Sequence, residues 1–123
     1  MAQVVALIDD LFFQAKVGET ARQLGVDLRV FAAAPPFLAE IVKEKPRLVL
    51  LDLNARADAF EAIGEIQKSD WNGVRPRVIV FLSHVQTELA ERARAAGCEE
   101  VMPRSAFTRN LATILAGAKS ETV

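Results

Sequence analysis

The sequence predicts one α/β domain, a doubly wound parallel sheet between two layers of helices, and three observations carry this. Apolar runs at Val4–Ile8, Leu48–Leu51 and Val78–Leu82 are continuous and rich in β-branched residues. Strands buried on both faces read that way, because helices cover both sides of a parallel sheet. Stretches with apolar residues at helical spacing lie between the runs. A chain of 123 residues, 51% hydrophobic, suffices for one core and is too short for two domains.

The elements follow in order. Val4–Ile8 is the first strand. Phe13, Val17, Ala21 and Leu24 mark the first helix, which Gly25 stops as a C-cap would. Leu28–Phe31 is a weaker second strand. Phe37, Leu38, Ile41 and Val42 form the next helical stripe, opened by Pro35-Pro36 and closed before Pro46. Leu48–Leu51 follows, then a helix carrying Phe60, Ile63 and Ile66, ended by the turn-rich loop Ser69–Gly73. Val78–Leu82 precedes a helix with Val85, Leu89 and Ala93 that Gly97 closes. A short strand at Glu100–Met102 leads into a last helix through Phe107, Leu111, Ile114 and Leu115, with Ser105 as the expected N-cap. Alternation of this kind argues for right-handed βαβ crossovers. The domain is expected over residues 1–118, with 119–123 a frayed tail.

Composition excludes several classes of function. Fifteen Lys+Arg against sixteen Asp+Glu leave a net charge of -1, with no basic patch for nucleic acid or an anionic membrane surface. A single cysteine excludes a disulfide framework or a Cys-rich zinc site and suits a reducing, cytoplasmic setting. The N-terminus MAQVVALIDDLFF has no basic region before its apolar stretch, unlike an export signal. No apolar run approaches the roughly 20 residues that span a bilayer.

Ligands of open α/β sheets bind at the carboxyl ends of the strands. Asp9 and Asp10 end the first strand, Asp52 the third, Ser83 and His84 the fourth, and Arg104 follows the fifth. Three carboxylates brought together repel, so such a site calls for a cation, and oxygen ligands suit Mg²⁺. A divalent ion and a fixed positive side chain around one carboxylate can stabilise a transferred phosphoryl group. Plainer roles exist for each residue: Asp10 as a helix N-cap, Ser83 and His84 as helix-opening polar residues, Arg104 as a surface cation. Cys98, beside Glu99 and Glu100, reads as a structural thiol, and Trp71 as a ring folded over a helix end. No glycine-rich phosphate fingerprint, Walker loop or nucleophile elbow occurs.

Together these residues resemble the receiver domains of bacterial two-component response regulators, the CheY-like family, from Gln3 to about Gly117. The resemblance implies a flavodoxin-like (βα)5 sandwich with a five-stranded parallel sheet in the order 2-1-3-4-5. Asp9-Asp10 looks like the family's acidic pair, Asp10 binding the metal directly and Asp9 indirectly. Asp52 in LVLLDLN matches the phospho-accepting aspartate, and Asn54 the residue whose backbone carbonyl coordinates Mg²⁺. Ser83 matches the hydroxyl that contacts the phosphoryl group. The segment AAGCEEVMPRSAF resembles the closing motif, in which a lysine precedes a cis-proline.

Departures from the pattern fall in the same site. Arg104 stands for lysine, Ser105 for proline, His84 for a small residue and Val101 for an aromatic one, and Ala55-Arg56 replaces the usual proline-containing stretch. A planar guanidinium is no simple substitute for an ammonium in a tight site, and without proline the preceding peptide bond is expected to be trans. The leading expectation is a stand-alone, non-enzymatic receiver. Asp52 would take a phosphoryl group from a histidine kinase or phosphotransfer protein, with Mg²⁺ at Asp10, Asp52 and Asn54 and with Ser83 and Arg104 on the phosphoryl group. Output would be a protein contact, or a homodimer, through the face of the fourth helix, fifth strand and fifth helix. The alternative is a pseudo-receiver, an interaction module that is not phosphorylated. A flavin-binding protein is disfavoured, because the acids would repel the cofactor's phosphate.

Overall fold

The computed structural model describes residues 3–54, 59–73, 75–83 and 87–119. Five strands, β1 (Val4–Leu7), β2 (Leu28–Phe31), β3 (Leu48–Asp52), β4 (Arg77–Leu82) and β5 (Glu100–Pro103), form one sheet in the order β2-β1-β3-β4-β5. Every pairing is parallel, with Leu7 opposite Leu51 and Asp52 opposite Phe81. This is the flavodoxin-like topology expected. The helices are α1 (Leu11–Leu24), α2 (Ala34–Glu44), α3 (Ala59–Lys68), α4 (Thr87–Ala95), α5 (Arg104–Arg109) and α6 (Leu111–Ala116).

The continuous apolar runs become two cores, because successive strand residues face opposite sides of the sheet. Val5, Leu7, Val49, Leu51, Val80 and Leu82 pack with Phe37 and Ile41 of α2, Ile63 and Ile66 of α3, and Ala93 of α4. Val4, Ala6, Leu48, Leu50, Ile79 and Phe81 pack with Phe13 and Val17 of α1 and with Phe107, Leu111 and Ile114 of α5 and α6. The two faces are thus closed by different helices. Trp71 lies against the first core and donates from Nε1 to the Ile66 carbonyl at 3.1 Å, folded over the end of α3 as its loop position suggested.

Several expectations need adjustment. The last helix divides at Asn110, whose φ of -104° and ψ of 9° leave the helical region. Its N–H is shared between the Ala106 and Phe107 carbonyls, and its Nδ2 also bonds the Ala106 carbonyl at 2.8 Å, so the amide competes with the helix ladder. Ser105 is not the N-cap. β5 runs straight into α5, so Pro103 takes the capping position without a side-chain bond and Ser105 lies inside the first turn. Val42, counted in the α2 stripe, is exposed, since Phe37 and Ile41 already define the buried face. Lys119 is held by Arg47, which donates to its carbonyl at 3.0 Å; residues 120–123 lie outside the described residues.

Left-handed backbone follows three helices, at Gly25, Lys45 and Gly97. Gly25 caps α1 at φ 71°, its N–H bonded to the Ala21 and Arg22 carbonyls. Gly97, after α4, has φ 104°, and a β-carbon there would press on the Gln67 side chain. Gly97→Ala is therefore expected to cost about 1–2 kcal/mol in urea unfolding, chiefly through backbone strain because the Gln67 amide can swing aside. A loss below half that would show that the loop relaxes.

Candidate functional site

The site lies at the carboxyl ends of β1, β3 and β5. Asp10 follows β1 and caps α1: its Oδ1 accepts from the Phe12 N–H at 2.9 Å and the Phe13 N–H at 3.1 Å. Asp52 ends β3 and is the one buried polar residue of the described core, with 1% of its surface exposed. Its Oδ1 accepts from the Asn54 N–H at 2.8 Å, an Asx-type turn that fixes the carboxylate plane. Arg104, the first residue of α5, reaches back to both acids. Its Nη2 lies 2.8 Å from Asp52 Oδ2 and its Nη1 lies 3.4 Å from Asp10 Oδ2.

The guanidinium is held from below by aromatic rings. Its carbon lies 4.6 Å from the centroid of Phe13 and 5.9 Å from that of Phe81. Phe13, Phe81 and Phe107 themselves form a cluster, with Phe81 and Phe107 stacked at 4.3 Å. A cation over ring faces gains from their negative potential. Arg104 is thus pinned between two carboxylates and an aromatic floor.

The two acids are perturbed in opposite directions. Hydrogen bonding from the Phe13 N–H holds Asp10 below the usual carboxylate range, more than burial raises it, and the Phe12 N–H and Arg104 add to the lowering. Burial pushes Asp52 up, and the nearby Asp9 charge adds to this, against the opposing pull of the Asn54 N–H and Arg104. Each of the four carboxylate oxygens of Asp10 and Asp52 already accepts at least one N–H. Among the described residues, no group of three or more His, Cys, Asp or Glu side chains is gathered closely enough to hold a metal ion.

The remaining site residues take varied positions. Asn54 acts through its side chain, whose Oδ1 accepts the Ser83 N–H at 2.8 Å and ties the β3 end to the β4 end. Ser83 is exposed and lines a cleft of ≈ 670 Å³ with Asn54, Arg104, Ser105 and Thr108. No cis peptide bond occurs among the described residues, so the Arg104–Ser105 bond is trans. Val101 is partly buried beside the first core. His84, Ala55 and Arg56 lie outside the described residues. Cys98 is buried and its thiol is pushed up by desolvation; the direction is the one its sequence context suggested, but burial causes it. Phe13 and Phe81 were legible only as core residues, and nothing in their spacing marks them as a seat for Arg104.

Searches by sequence find no matching protein-family model and no matching curated protein. Solved structures do match. A response regulator from Hahella chejuensis superposes with a TM-score of 0.80 at 18% identity, covering 98% of this chain and 96% of that one. The chemotaxis response regulator CheY4 of Vibrio cholerae gives 0.78 at 18% identity, covering 97% and 99%. The receiver domain of NtrX from Brucella abortus gives 0.74 at 23% identity, covering 94% and 96%, whereas in a longer NtrX chain the match spans 26% of the length. No helix among the described residues is long and apolar enough to cross a membrane. Strand order, helix placement and these superpositions agree, and the chain has the CheY-like receiver fold of response regulators.

Proposed function

We propose that this chain is a signal-receiver module that works through protein contacts and is not phosphorylated on Asp52, the pseudo-receiver form of the fold. The observation that carries this reading is the Arg104 guanidinium, which bridges Asp52 and Asp10 with two different nitrogens. A phospho-accepting carboxylate must be ionised, reachable and backed by a divalent ion. Asp52 is buried and bonded at both oxygens, one of them to Arg104. The Asp10 and Asp52 carboxylates as arranged do not fit Mg²⁺, because each of their oxygens already accepts an N–H and Arg104 lies between them.

The contact surface we assign is the face of α4, β5 and α5. On the α4 and β5 side of that face, at the end of β4, lies a groove of ≈ 280 Å³ between Leu82, Ala90, Val101, Met102 and Pro103, rimmed by Thr87, Glu91 and Arg94. Val101 is too small to fill it as an aromatic residue would. A partner from a two-component pathway, or a second copy of the chain, is the occupant this reading implies, in a cytoplasmic setting.

The second reading, phosphoryl transfer from a histidine kinase or phosphotransfer protein to Asp52, is favoured by one feature. The Asn54–Ser83 hydrogen bond brings a hydroxyl residue beside the β3 end, where a phosphoryl group on Asp52 would need it. Incubation with Mg²⁺ and acetyl phosphate, followed by prompt intact-mass measurement, separates the two. The expected result is an unmodified mass. A phosphoryl adduct that disappears in Asp52→Asn would establish Asp52 as the acceptor instead.

A further inference from the structure

We infer that Arg104 is a built-in replacement for the divalent cation between Asp10 and Asp52, so that this module compensates those two acids internally and excludes metal. The inference deepens the reading above and rests on it. Its support is the geometry: the Arg104 guanidinium meets two carboxylates through separate nitrogens and lies over the rings of Phe13 and Phe81.

Asp10 and Asp52 are each compensated locally, with the charge of Asp9 nearby. Asp10 is neutralised mainly by the amino end of α1, through the Phe12 and Phe13 N–H groups. Asp52, the buried member, receives the shorter Arg104 bond at 2.8 Å and the Asn54 N–H. Arg104 keeps about a third of its side chain exposed (32%), so its remaining donors can be hydrated while its inner edge serves the acids. A planar fork addresses two carboxylates with separate nitrogens while lying over a ring, a geometry that the compact lysine ammonium does not reproduce. A metal entering between Asp10 and Asp52 would have to displace this fork from both.

Mn²⁺ titration followed by the amplitude of the free-ion EPR signal tests this on the whole chain. Wild type is expected to leave the signal unchanged to millimolar Mn²⁺. Arg104→Ala is expected to bind at least tenfold more tightly than wild type, to melt at a higher temperature with Mn²⁺ than without, and to lose both effects when Asp52→Asn is added. Arg104→Lys, which keeps a charge and the fold, is expected to show intermediate Mn²⁺ binding; it decides the matter if the alanine variant does not fold even with metal present. Saturable Mn²⁺ binding by wild type that Asp52→Asn abolishes would overturn the inference. So would a folded Arg104→Ala, or Arg104→Lys in its stead, that gains no binding. Failure here appears as metal binding, whereas failure of the functional reading appears as a phosphoryl adduct in the mass experiment.

Discussion

Arg104→Ala is expected to destabilise the fold by about 3 kcal/mol at neutral pH, a drop of roughly 10 °C in Tm for a domain of this size. Removing one partner of a buried pair leaves the other charge without compensation, and Asp52, 1% exposed, is the partner left behind. The figure is taken at the lower end of that class of mutation because Arg104 is itself partly exposed. It is also capped: a stranded Asp52 can take up a proton rather than stay charged. The cost should therefore shrink as pH falls, and Asp52→Asn in the same background should recover most of it. Urea unfolding of the four members of this cycle, at neutral and mildly acidic pH, measures both effects. A pH-independent loss would place the effect in the packing of Arg104 over Phe13 rather than in its charge.

Wild type should show a pH signature of the same carboxylate. Asp52 binds its proton more tightly in the folded than in the unfolded chain, since burial raises its pKa above the ordinary aspartate value of 3.8. Its contribution to stability is thus fully present below that unfolded value and is lost as pH rises through the folded one. Asp10 works in the opposite sense: its pKa is lowered, so its contribution is present above the unfolded value and lost as pH falls through the folded one. Only the Asp52 part should vanish in Asp52→Asn, which separates the two.

The architecture was legible because a parallel sheet buries both faces of its strands. That constraint writes itself into runs such as Leu48–Leu51 without needing any distant partner. The acidic residues were legible for a related reason, since strand ends are set once strands are. What escaped was everything set by side-chain direction across the fold. Arg104 was expected in the acidic site, but its seat over Phe13 was not, since the helical stripe marks Phe13 only as a core residue. The Asn54 side chain was not singled out, yet its oxygen holds the Ser83 N–H, a contact fixed by the β3–β4 pairing and not by local sequence. The break at Asn110 was hidden because asparagine is only mildly unfavourable in a helix interior, and its side-chain bond to Ala106 appears only once the turn exists.

Phe81→Ala should be the most damaging single change, costing about 4 kcal/mol. Phe81 has no exposed surface and lies on β4, near the carboxyl end of the strand, between Phe13 at 5.3 Å and Phe107 at 4.3 Å. Truncation removes both ring contacts and leaves a void between α1, β4 and α5 that the close-packed strands cannot collapse into. Against a total stability of about 5–15 kcal/mol for an ordinary domain, that leaves little margin. Phe12, its neighbour in composition but 91% exposed, is the control: Phe12→Ala should fall within about 0.5 kcal/mol of wild type. Phe81 is also part of the floor beneath Arg104, so its loss should reach the acidic site. In Phe81→Ala, the pH dependence assigned to Asp52 should shift along with the global stability. In Phe81→Leu, which refills much of the space without an aromatic face, stability should largely return while the shift remains. If both variants keep the wild-type pH profile, Phe13 alone seats the guanidinium and Phe81 serves only the core.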